Sequence, residues 1–197
     1  MPADTVQIDS HAAATLRYIR ASMDSAASIA VPGSAGIAMG GFGLLATALS
    51  STQSLREHWL GIWIAAAIPA AGLGLVLVAR PSSLRGLTLS GAPFRKFALC
   101  LLPSLFCGAV MTAVHSTYGN LHAIPGTWLL LYGCALIAAS VATVRTVTVM
   151  GGLFVALGLI ALLLPDTLQI PVLGIGFGGL HVLFGLLIGR ASNGRQA

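Results

Sequence analysis

Charged side chains are scarce in this chain of 197 residues. Asp, Glu, Lys and Arg together make up 8% of it, whereas ordinary soluble proteins contain about 25%. Hydrophobic residues make up 56%, and the mean hydropathy is +0.92. A soluble fold would lack the polar surface that it needs, so the composition indicates an integral membrane protein.

Carboxylates are the rarest of the charged groups, and long intervals contain none. The five acids are Asp4, Asp9, Asp24, Glu57 and Asp166. General acid–base catalysis needs a positioned ionisable group, so we expect no enzyme and no catalytic residues. The net charge of +5 does not indicate nucleic acid as a partner, because the Lys and Arg residues flank apolar runs instead of forming one basic face.

Cysteine is also rare, and the chain contains no CxxC or HxxxH spacing. Three cysteines leave no paired disulfide framework, and Cys100 and Cys107 lie two helical turns apart, which is too far for a disulfide. We therefore expect neither a metal nor another cofactor.

Long apolar runs are what the chain has instead. A bilayer core of about 30 Å needs roughly 20 apolar residues per helix. The charge-free intervals supply six helices, at about 34–49, 59–79, two within 97–144, 146–164 and 170–189. Turn residues separate them, notably Tyr118-Gly119-Asn120, Pro125-Gly126 and Pro165-Asp166. We predict an all-α membrane protein with a transmembrane domain at 29–190, between tails at 1–28 and 191–197.

The six helices are expected to form three hairpins, because every second helix ends at an arginine, namely Arg80, Arg145 and Arg190. Residues 36–45 also parallel residues 151–160, which favours tandem repeats. Any hairpin rich in Gly, Ala and Leu with basic ends would give the same pattern, so the repeat remains one of two interpretations.

Basic residues predict the orientation, since they are retained on the cytoplasmic side. With the N-terminus inside, nine of them are cytoplasmic and only Arg56 is outside; the nine are Arg17, Arg20, Arg80, Arg85, Arg95, Lys96, Arg145, Arg190 and Arg195. Both termini are thus expected in the cytoplasm of a bacterium, with the chain crossing its inner membrane.

A short amphipathic helix is predicted at residues 9–27. Its apolar residues recur at helical spacing opposite Arg17 and Arg20, and they are Ala12, Leu16, Ile19, Met23 and Ala26. We expect it to lie on the inner leaflet; binding of a partner protein is the alternative.

Two stretches resemble known membrane proteins. Residues 158–165, followed by Gly174-Ile175-Gly176-Phe177-Gly178-Gly179-Leu180, resemble the hairpins of the HdeD-like six-helix membrane proteins, which are linked to acid stress. Arg17-Tyr18-Ile19-Arg20 and Val31-Pro32-Gly33 are similar to an uncharacterised group of small bacterial membrane proteins. The resemblance implies six helices in the inner membrane and a stress-related role, and it supplies no catalytic residues.

Polar residues inside spans are functional candidates because they are costly there. His181 lies near the middle of the sixth helix, and Tyr132 lies in the fourth. Cys107, Met111 and His115 share a face of the third helix, where such soft ligands would suit a metal such as Cu(I), although packing explains them better. For His181 the alternatives are a neutral packing residue, a proton relay or a ligand contact.

Glycines at helical spacing predict close contacts between helices. Gly36 and Gly40 form a GxxxG on the first helix, and the sixth helix carries a second face; its members are Gly174, Gly178, Gly185 and Gly189. These faces would bind another helix or a second copy of the protein.

We expect a non-enzymatic accessory or stress-related membrane component, with the lipid bilayer and a second copy or another membrane protein as partners. The first alternative is a small-solute or ion transporter or channel subunit. The second is an intramembrane hydrolase, because Gly33-Ser34-Ala35-Gly36 and His181 resemble the serine and histidine of rhomboid proteases. That motif requires serine at the position of Ala35.

Overall fold

The computed structural model describes residues 15–16, 29, 31–84, 91–140, 143 and 145–193. Within these residues the chain is helical and contains no β-strand. The helices are α1 (Gly33–Ser51), α2 (Trp59–Leu84), α3 (Ala92–Thr117), α4 (Ala123–Ala139), α5 (Arg145–Ala161), α6 (Asp166–Leu173), a π-helix (Gly174–Leu180) and α7 (His181–Asn193). The backbone stays in the right-handed helical region at Leu173, Gly174 and His181, so we call Asp166–Asn193 the last helix.

Four helices are long and apolar enough to cross a membrane, which indicates a membrane protein. These spans are Gly33–Ser51, Arg56–Arg80, Phe94–Thr117 and Asp166–Ala191. Helices α4 and α5 are also apolar but have 17 residues each. At 1.5 Å per residue they are about 26 Å long, slightly shorter than the hydrocarbon core of about 30 Å.

The break between α3 and α4 lies where the sequence indicates a turn, but it is shorter than expected. Helix α3 ends at Thr117, and Gly119 adopts φ 71°, a conformation that favours glycine. The N–H of Asn120 donates to the carbonyl of His115 at 2.8 Å, which closes the helix end. Pro125 and Gly126 were expected in the turn, but they lie in the first turn of α4. Proline is tolerated there because the N–H groups of a first turn have no hydrogen-bond partner within the helix.

The helices pack in two groups of three. In group A, α1 contacts both α2 and the last helix; in group B, α4 contacts both α3 and α5. Among the described residues, the two groups meet where the last helix contacts α4 and α5. The last helix packs mainly on α1 and less on α5, its neighbour in sequence. The expected three-hairpin arrangement is therefore not confirmed.

Within each group, glycines bring two backbones together. A Cβ added at Gly40 would lie 2.7 Å from the carbonyl oxygen of Gly178, and one at Gly133 would lie 2.7 Å from that of Gly151. Between the groups, the contacts are made by side chains from a buried apolar cluster that includes Leu129 and Phe154. The glycine contacts that join two backbones are thus those of α1 with the last helix and of α4 with α5, and both lie within a group.

The predicted amphipathic helix at 9–27 lies almost wholly outside the described residues. Only Thr15 and Leu16 are described; both are helical and exposed.

Candidate functional site

Four side chains from three helices form a buried cluster where the two groups meet. Tyr132 comes from α4, Phe154 from α5, Phe177 from the π-helix and His181 from the start of α7. We call these four residues the aromatic–histidine cluster. Their rings lie 5.0 to 6.1 Å apart, and the Tyr132, Phe154 and Phe177 rings pack tilted or edge to face. Such arrangements are favourable for aromatic rings.

A hydrogen bond joins the two polar members of the cluster. The Tyr132 hydroxyl and Nε2 of His181 are 2.8 Å apart. Tyr132 is 9% exposed and His181 is 4% exposed. A buried polar group without a partner would cost free energy, so each side chain stabilises the other in its buried position.

The hydrogen bond with Tyr132 uses only one nitrogen of the imidazole, Nε2. Nδ1, the other ring nitrogen, is also buried and has no hydrogen-bond partner among the described residues. The tautomer of His181 decides whether the Tyr132 hydroxyl donates to Nε2 or accepts from it.

The π-helix brings Phe177 and His181 into the same cluster. Its sequence is Gly-Ile-Gly-Phe-Gly-Gly-Leu, and four glycines leave the wide helical turn free of side-chain crowding. The Phe177 and His181 rings are nearly parallel, with an interplanar angle of 15°. Short π-helical segments occur frequently at functional sites.

The predicted glycine face of the last helix lies against α1. Cβ atoms added at Gly174, Gly178 and Gly185 would approach Thr47, Leu44 and Ile37, respectively, at 2.6 to 2.7 Å. On the α1 side, a Cβ at Gly36 would lie 2.9 Å from the His181 carbonyl oxygen. The Gly189 backbone also belongs to this contact, because a Cβ added at Gly33 would lie 2.7 Å from the Gly189 nitrogen, whereas a Cβ at Gly189 itself would come no closer than 4.0 Å to Gly33 Cα.

Other candidates from the sequence are not brought together with His181. Cys107 is exposed on α3, whereas Met111 and His115 are half-buried on the same helix. In the described part of the chain, no three His, Cys, Asp or Glu side chains are grouped as metal ligands would be. Ser34 is exposed at the start of α1, whereas His181 is buried and paired with Tyr132, so no serine–histidine pair forms.

Sequence reasoning missed the aromatic partners of His181. Phe177 precedes His181 by four residues, which is a helical spacing that could have suggested a shared face. Phe154 comes from a different helix, and no pattern in the sequence connects it with Tyr132. Trp63 of α2 was not expected near His181, yet its ring lies 6.1 Å from that of Phe177.

Two further polar links join groups A and B at the end where α4 begins. Nδ1 of His122 pairs with a carboxylate oxygen of Asp166. Gln169 is buried and donates from Nε2 to the carbonyls of Ala161, at 2.7 Å, and Leu164, at 3.0 Å. Ala161 is the last residue of α5 and Leu164 follows it, so the glutamine satisfies carbonyls at the C-terminal end of this helix.

No protein-family model, no curated protein and no solved structure matches this chain.

Proposed function

We propose that this chain crosses the bacterial inner membrane six times, as three out-and-back pairs, with both termini in the cytoplasm. Four helices are long enough to span, and α4 and α5 lie at the short end of the range for spanning helices. Nine of ten basic residues then fall on the cytoplasmic side. An even number of crossings is also consistent with the similar basic ends at Arg80, Arg145 and Arg190.

Reporter fusions test this topology directly. Fusions after the three arginines should report cytoplasm, and fusions near Ser54, Asn120 and Asp166 should report the outside. A cytoplasmic signal at Asn120 would contradict the crossing by α3, and an outside signal after Arg145 would contradict the crossing by α4.

We further propose that the protein is a non-enzymatic accessory component of the membrane, in keeping with a stress-related role, which acts by assembling with other membrane components. The observation that carries this proposal is that His181 is buried against Tyr132 and two phenylalanine rings. A histidine held in this way stabilises the bundle and does not need to contact a substrate. Glu57 and Asp166 lie at the ends of their spans, so no carboxylate lies deep within a proposed span to form a catalytic pair or to bind a cation.

Assembly also has a suitable surface on the outer helix α2. Gly61 and Gly72 face outward, and a Cβ at either position would meet no atom within 4 Å. Small residues on exposed helix faces let another membrane helix approach closely, either from a second copy or from another protein.

A small-solute or ion carrier is the second candidate, and a specific observation favours it. The Tyr132–His181 hydrogen bond lies where groups A and B meet, beside the π-helix. Carriers bind substrates at irregular helix segments between two packed units. An intramembrane hydrolase receives less support, because Ser34 and His181 are not paired.

Replacement of His181 separates the two candidates. In a strain in which deletion of the gene impairs growth, an accessory protein with His181→Phe should restore growth as well as the unchanged protein does. A carrier with His181→Phe should fold but fail to restore growth, while His181→Gln restores part of it. Expression in the membrane must be matched, and Leu186→Phe on the exposed side of α7 is the control.

A further inference from the structure

We draw no further inference here: the strongest candidate, the buried Nδ1 of His181 in the aromatic–histidine cluster, which has no hydrogen-bond partner among the described residues, belongs to the site already described, and nothing in the structure shows what it would bind.

Discussion

Substitution of Gly40 should destabilise the protein strongly, whereas the same substitution at Gly41 should not. The two glycines are neighbours on α1, but Gly40 is buried against the last helix and Gly41 is exposed. A Cβ at Gly40 would lie 2.7 Å from the Gly178 carbonyl oxygen and 2.8 Å from the Val182 nitrogen. A Cβ at Gly41 would meet no atom within 4 Å. The two glycines therefore occupy nearly the same position along α1 and differ mainly in whether they contact the last helix.

The size of the effect follows from these distances. Ordinary contact begins at 3.4 Å, so the backbones must separate by about 0.7 Å (3.4 − 2.7) even for Gly40→Ala. Gaps of this size forfeit about a quarter to a half of each dispersion contact that they open. Gly36 and Gly43 make similar contacts on the same face and would be pulled away together. We expect a loss of about 1 to 3 kcal/mol for Gly40→Ala and more for Gly40→Leu.

Gly41→Ala is the control, and its effect on stability should be absent or opposite to that of Gly40→Ala. Alanine is a better helix former than glycine by about 1 kcal/mol, so Gly41→Ala should leave stability unchanged or raise it. Both variants are measured by thermal unfolding in detergent, in which the fraction of protein that still elutes as a folded species is recorded after heating. Gly178→Leu should likewise lower stability more than Leu186→Ala, which truncates an exposed side chain. Equal midpoints for Gly40→Leu and Gly41→Leu would refute the close contact between α1 and the last helix.

Three further predictions concern group B, the buried histidine and the polar link between the groups. Gly151→Leu should be unstable and Gly152→Leu should not, in the same unfolding assay, because only Gly151 faces a backbone on α4; similar yields of both would contradict that contact. His181→Phe should assemble and His181→Lys should not, as judged by membrane yield, since a charge buried there has no counterion; normal assembly of the lysine variant would place residue 181 in water or at the surface. Asp166→Asn should cost less than about 1 kcal/mol, because its pair with His122 is exposed; a larger loss in thermal stability would mean that this link holds the groups together.

Local patterns were enough for the class of protein and for most helix boundaries. The start of α2 at Trp59, the break around Gly119 and the break at Pro165 follow from charge-free runs interrupted by turn residues. The predicted start of α4 was wrong because Pro125 was assigned to the turn, whereas proline is compatible with both a turn and the first turn of a helix. The glycine spacing of the last helix likewise indicated a close-packed face, because small residues at helical spacing serve mainly that purpose in membranes.

The partner of each helix was decided only by the tertiary structure. The sequence by itself determined that the chain is helical, apolar and basic at alternate ends, because hydropathy and charge act locally along each segment. It also placed His181 and Tyr132 inside spans, yet it could not show that they form a hydrogen bond or that Phe154 and Phe177 surround them. Those contacts depend on which helices meet. Apolar helices in lipid can pack on many partners with similar free energy, and glycines and side-chain shapes decide which pairs form. The grouping of the last helix with α1 arises from such complementarity, and it also leaves α2 and α3 apart.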